Sequence, residues 1–196
     1  MGFWRHCFSI MEFSELVQIV KDAICICEAK IQENSNMVLS EADLERHLSN
    51  VISSLLEQIR DNEFVVHNQI SHYPSYKPKK HDKRDYQVDV LMMKDKDIQK
   101  DEFRHKGFYY FDDSIALELK YIRGKDSVNK IEEDLIKHKS LLKTTKNRSF
   151  FVVALLEDNS KRKDAENVIY QYRKKHRVSK LNFFTHVITK EPLNNE

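Results

Sequence analysis

The segment Ile115-Ala116-Leu117-Glu118-Leu119-Lys120-Tyr121-Ile122 constrains the chain more than any other. Apart from Glu118 and Lys120 it is apolar at both parities, the pattern of a strand inside a sheet with both faces covered. Side chains alternate along a strand, so Glu118 and Lys120 share one face, about 7 Å apart. Burying a carboxylate and an ammonium costs several kcal/mol each unless they are paired or bound to a metal. A central strand that keeps both needs a chemical reason; the competing explanation is an ion pair on an edge strand.

The neighbouring segments supply the rest of a fold. Leu16, Val17, Val20, Ile24, Cys27 and Ile31 recur at helical spacing from Phe13 to about Ile31. A second helix begins at Ser40, where Ser40 and Asp43 approximate a capping box, and buries Leu44, Leu48, Val51, Leu55 and Ile59. Strands are predicted at 64–70, 86–93 and 115–122, with a charged connection at 94–113 that holds a short aromatic strand near Phe108 to Phe111. A helix through Val128, Ile131, Leu135 and Leu142 follows. Then come a strand at 149–156, a helix at 164–176 and a last strand at 181–188. The order αα-βββ-α-β-α-β implies an α/β fold with a mixed central sheet flanked by helices. The expected division is a helical extension at 1–38 packed on the core, one domain at 39–190 and a tail at 191–196.

The bulk composition narrows the partners. The chain has 196 residues, 40% hydrophobic and 33% charged, with a net charge of +2. Such a chain is no general magnet for polyanions, but its cations cluster. One run is Lys77, Lys79, Lys80, His81, Lys83 and Arg84; the other is Arg173, Lys174, Lys175, His176 and Arg177. Either run suits phosphate neutralisation, and either is equally well a solvated loop or a helix end whose dipole favours cations. The N-terminal residues hold no sustained apolar stretch, so neither signal peptide nor membrane span is expected, and the cytoplasm is the expected location. Gly2 invites myristoylation, but His6 stands where Ser or Thr is wanted. Cys7, Cys25 and Cys27 fit reduced thiols better than a disulfide framework, with core filling the expected role of the close pair.

The strand before Glu118 adds a third charge, Asp89 in Tyr86-Gln87-Val88-Asp89-Val90-Leu91-Met92. If the two strands are antiparallel neighbours, Asp89 and Glu118 approach to roughly 5 Å, and carboxylates that close repel unless a cation lies between them. Mg²⁺ takes oxygen ligands and keeps several waters, so two carboxylates and the backbone carbonyl of Leu119 suffice, with Mn²⁺ a ready substitute. Lys120 beside the ion would orient or help deprotonate a water, or stabilise charge on a phosphate.

This arrangement resembles the PD-(D/E)XK nuclease superfamily, over roughly Ser40 to Leu156. The resemblance implies a restriction-endonuclease-like αβββαβ core. It also implies an Mg²⁺-dependent endonuclease acting on DNA, in restriction and defence or in repair and recombination. The metal-binding Asp falls at Asp89, the second acid at Glu118 and the lysine at Lys120; no proline precedes the Asp. The family often adds a glutamate on the first core helix, and Glu45 suits that role with Glu41 its close competitor. Lys77, Lys79, Lys80, Lys83 and Arg84 would then hold the nucleic-acid backbone, and a homodimer is a compatible assembly.

The histidines, among them His47, His67, His72, His81, His105 and His138, form no zinc spacing, and no Gly-rich phosphate loop is present. Asp134 and Lys137 follow on the next helix, where a solvated face is preferred over a supporting role in the site. The alternative function is a non-catalytic nucleic-acid-binding or assembly module that keeps the same fold. A third is an interaction protein that dimerises through its N-terminal helix pair.

Overall fold

The structure is a computed structural model that describes residues 12–72, 86–95, 99–100, 106–108, 113–123, 127–141, 148–177 and 182–190. The basic run at 77–84, Cys7, the side chains of Lys137 and His138, and the tail at 191–196 lie outside the described residues.

Helix α1 (Phe13–Glu33) buries Leu16, Val20, Ala23, Ile24, Cys27 and Ile31, the stripe its apolar spacing dictates. Cys25 is exposed while Cys27 is buried, so only one of the pair fills the core. Helix α2 (Glu41–Glu57) starts where the Ser40 side chain accepts the Asp43 N–H at 3.1 Å. The Asp43 carboxylate accepts the Leu39 N–H at 3.1 Å, one residue before the partner a capping box prescribes. His47 lies 3.2 Å from the Met37 carbonyl, a satisfied interior histidine.

The strands are β1 (Phe64–His72), β2 (Tyr86–Lys94), β3 (Gln99–Lys100), β4 (Lys106–Phe108), β5 (Ser114–Ile122), β6 (Arg148–Leu156) and β7 (Phe183–Thr189). Helix α3 (Lys130–Leu141) links β5 to β6, and α4 (Arg162–His176) links β6 to β7. One seven-stranded mixed sheet results, in the order β3-β4-β1-β2-β5-β6-β7. β1, β2 and β5 pair antiparallel, whereas β5, β6 and β7 run parallel. Within the charged connection, the short strand Lys106–Phe108 adds to the far edge of β1, and the rest of the expected aromatic strand, residues 109–111, lies outside the described residues.

Both faces of the sheet are covered, as the double-sided apolar pattern of β5 and β6 requires. On one face Ile115, Leu117, Leu119 and Tyr121 pack with the stripes of α1 and α2. On the other Ala116 and Ile122 pack with Ile131 and Leu135 of α3 and with Ile169 and Tyr172 of α4. The pleat of β1 and β2 is interrupted where Gln69 takes a left-handed φ of 55°. Val90 belongs to the α1–α2 face, but Val88 two residues earlier belongs to the α3–α4 face, together with its partner Ile70. Asp89 stands at this crossover. Among the described residues, no helix is long and apolar enough to cross a membrane.

Candidate active site

The backbone of β5 creates the site before any side chain enters it. Its parallel ladder to β6 runs the whole strand, from Ser114↔Arg148 to Ile122↔Leu156. Its antiparallel ladder to β2 covers only Ile115, Ala116 and Leu117, ending at Leu117↔Val90. Beyond that point β2 no longer bonds to β5, and the N–H groups of the second half of β5 on that side need other acceptors.

Acidic side chains provide them. The Leu119 N–H donates to Asp89 Oδ2 at 2.7 Å, and the Tyr121 N–H donates to Glu41 Oε2 at 3.1 Å. A residue's N–H and C=O project to the same edge of a strand, so the Leu119 carbonyl faces the same opening. Asp89 directly precedes the last paired residue of β2, Val90, and Glu118 directly follows the last paired residue of β5, Leu117, so the two carboxylates stand at the same end of the ladder.

Glu118 is fully buried. By alternation it and Lys120 lie on the α3–α4 face, two residues on from Ala116. Lys120 Nζ sits 3.4 Å from Glu41 Oε2 and 3.2 Å from Asp134 Oδ2. The ammonium is thereby gripped between the first turn of α2 and the first turns of α3. Burial alone would push this lysine down. The charges of Asp134 and Glu41, with their hydrogen bonds, outweigh it and hold Lys120 above its ordinary value. Lys120 is therefore an ammonium at neutral pH, suited to orienting or neutralising an anion and unsuited to taking a proton from water.

The helix glutamate that reaches the site is Glu41. Glu45 lies one turn further along and is engaged elsewhere, accepting from Gln69 Nε2 at 2.7 Å. The difference follows from the cap: the strand end of β5 meets the first residue of α2, not its second turn. Asp134 departs from the preferred reading of a solvated helix face, because it is buried and ion-paired to Lys120. A signal for it was available. Ile131 is buried, and Asp134 lies three residues on, beside it on the helix surface. Tyr121 packs on the opposite face, its ring between Arg123 and Lys190, each 5.0 Å from the centroid.

The second basic run divides in the structure. Arg173 turns inward, donating to the Phe183 carbonyl at 3.1 Å and to Thr185 Oγ1 at 3.2 Å, and His176 packs on Tyr172. Lys174, Lys175 and Arg177 face solvent.

Among the described residues no three His, Cys, Asp or Glu side chains converge as a ready metal cluster. The donor set at the opening comprises the Asp89 and Glu118 carboxylates and the Leu119 carbonyl, all hard oxygens. Mg²⁺ is commonly held by one or two carboxylates and completes its octahedron with water, so this set fits such an ion without a third side chain. The chain matches no protein-family model, and no curated protein is similar to it.

Proposed function

We propose that this chain is a divalent-metal-dependent endonuclease that hydrolyses phosphodiester bonds in DNA. One observation carries the reading. Asp89 accepts the Leu119 N–H, between Glu118 and Lys120, at the place where the β2–β5 ladder ends, and Glu41 holds the Lys120 ammonium. A fold stabilised only by burial has no use for a fully buried glutamate and a gripped lysine at an opening in its central sheet. The run α2-β1-β2-β5-α3-β6 supports an αβββαβ core of the restriction-endonuclease type, with β3 and β4 inserted between its second and third strands.

In this reading Asp89, Glu118 and the Leu119 carbonyl would hold Mg²⁺, or Mn²⁺ in its place. The ion would supply an acidified water and a Lewis acid for the phosphoryl oxygen. Lys120, kept protonated by Glu41 and Asp134, would stabilise charge as it grows on the phosphate and orient the entering water. Glu41 bridges the Tyr121 N–H and Lys120 Nζ, so it ties the helix to the lysine and fixes where the ammonium points.

Supercoiled plasmid, linear duplex and branched DNA, incubated with Mg²⁺, Mn²⁺ or EDTA, test the proposal. Nicking that requires the ion and is lost in Lys120→Ala and Glu118→Gln, with DNA binding retained, is the expected outcome. Cleavage by Lys120→Ala at the wild-type rate removes the mechanism. Binding without cleavage under every condition removes the enzyme and leaves a nucleic-acid-binding module.

A further inference from the structure

We infer that the outer face of α4 is a second nucleic-acid contact, separate from the opening between β2 and β5. Residues three and four apart share a helix face, so Asn167, Tyr170, Gln171, Lys174 and Lys175 stand along one side of α4, and Arg177 follows at its left-handed C-cap. All six are exposed, and Tyr170 is 60% exposed, one of the few large hydrophobic side chains so placed among the described residues. With Arg173 and His176 turned into the protein, the three outward cations are a surface charge rather than packing. None of the three is ion-paired among the described residues. No acid occurs between Asn167 and Arg177.

The helix dipole explains one or two cations at this end. It does not explain an exposed tyrosine and two exposed amides beside them. Those three groups match what a nucleic acid presents next to its phosphates: faces of bases or sugars for the ring, and donor and acceptor edges for the amides. Gln171 Nε2 donates to Asn167 Oδ1 at 3.3 Å, which aligns the two amides along the helix. They border a cavity of about 290 Å³ between α3 and α4, walled also by Glu132, Val168, Tyr172 and Lys175. A lipid surface or an acidic peptide would use the cations but would leave this cavity and its amides idle.

Because α4 returns along the sheet after β6, its 15 residues carry its basic end about 22 Å along the helix axis from where it starts, away from the strand ends near Lys120. The face would therefore grip a stretch of backbone flanking the bond at Lys120 rather than the reacting phosphate. The inference rests on the nuclease reading for its substrate, and its test is separable from that reading.

The full chain is titrated into fluorescein-labelled duplex and single-stranded DNA in EDTA across a salt series, with anisotropy as readout. K174Q/K175Q/R177Q should weaken binding at least tenfold and lower the log–log salt slope by about three on the duplex and about two on the single strand. Tyr170→Ala should cost about fivefold with the slope unchanged. The charge-conserving K174R/K175R/R177K should bind as wild type, and the glutamine variant should keep the wild-type urea midpoint, which excludes misfolding as the cause. The inference is overturned if the glutamine variant matches wild type in affinity and slope. It is equally overturned if phosphatidylserine vesicles bind the face more tightly than DNA, or if the wild type binds no DNA. Plasmid nicking by wild type with unchanged binding in the glutamine variant rejects this surface and keeps the nuclease. Binding lost in the glutamine variant, with no nicking by wild type, keeps the surface and rejects the nuclease.

Discussion

Replacing Asp134 by Asn isolates the electrostatic grip on Lys120 with little change in shape. Lys120 Nζ lies 3.2 Å from Asp134 Oδ2, and the two side chains are 19% and 6% exposed. A charge pair at about 4 Å interacts by roughly 4 kcal/mol at the effective dielectric of a partly buried site. Removing one partner of a buried pair typically costs about 3–5 kcal/mol, because the other charge is left desolvated. Here Glu41 stays at 3.4 Å, but its side chain is 42% exposed and its charge is better screened. The expected cost is therefore about 2–3 kcal/mol, or a fall in Tm of roughly 5–10 °C for a chain of this size. Urea denaturation of wild type, Asp134→Asn, Lys120→Met and the double variant closes a cycle, and the double variant should be at least ~1.5 kcal/mol more stable than additivity predicts. The pH dependence has a definite sign. Lys120 is raised in the folded state, so the stability it contributes is fully present below the unfolded lysine value of about 10.4 and is lost above it. The difference between wild type and Asp134→Asn should stay flat from about pH 6 to 9 and shrink above roughly pH 10.5. A cost under ~0.5 kcal/mol with no coupling in the cycle would refute the argument that the lysine is held charged by two helices.

Three further outcomes follow from other parts of the molecule. Cys27 is buried and its thiol is pushed up to about 11, so iodoacetamide at pH 8 should modify exposed Cys25 and spare Cys27 until urea unfolds the chain, as read by peptide mass spectrometry. Glu28 accepts from His186 across α1 and β7 at 2.8 Å, and this hydrogen bond holds its carboxyl below the usual range. The stability it adds is present above the unfolded value of about 4.3 and lost as pH falls through the folded one. Glu28→Gln should thus cost about 1 kcal/mol at pH 7 and converge on wild type near pH 3. Leu117→Ala, at a fully buried position in the last paired step of the β2–β5 ladder, should cost about 2–5 kcal/mol in urea denaturation without changing the m-value.

The periodicities carried the strands and helices almost to their ends. The reason is that β5 and β6 are buried on both faces and α1 and α2 on one stripe each, so burial alone writes their pattern. The face shared by Glu118 and Lys120 follows from alternation within one strand and needs no tertiary knowledge. The choice between Glu41 and Glu45 was not legible. Both flank the same stripe, and only the docking angle of α2 on the sheet brings the first residue of the helix to the Tyr121 N–H. The place of Asp134 is hidden from the sequence for a related cause. A carboxylate within a charged helix reads as solvated, until a cation from another element is packed against it.

Taken alone, then, the sequence determined an α/β chain with a doubly covered central strand that carries an acid and a lysine on one face. Those are local consequences of side-chain period and of the cost of burying charge. The tertiary structure decided that the β2–β5 ladder stops at Leu117 and that Asp89 and Glu41 accept the backbone N–H groups left unladdered beyond it. It also decided that Lys120 is clasped by two helices. Such facts depend on where strands diverge and how helices dock. Both are set by long-range packing, which no local window of the chain encodes.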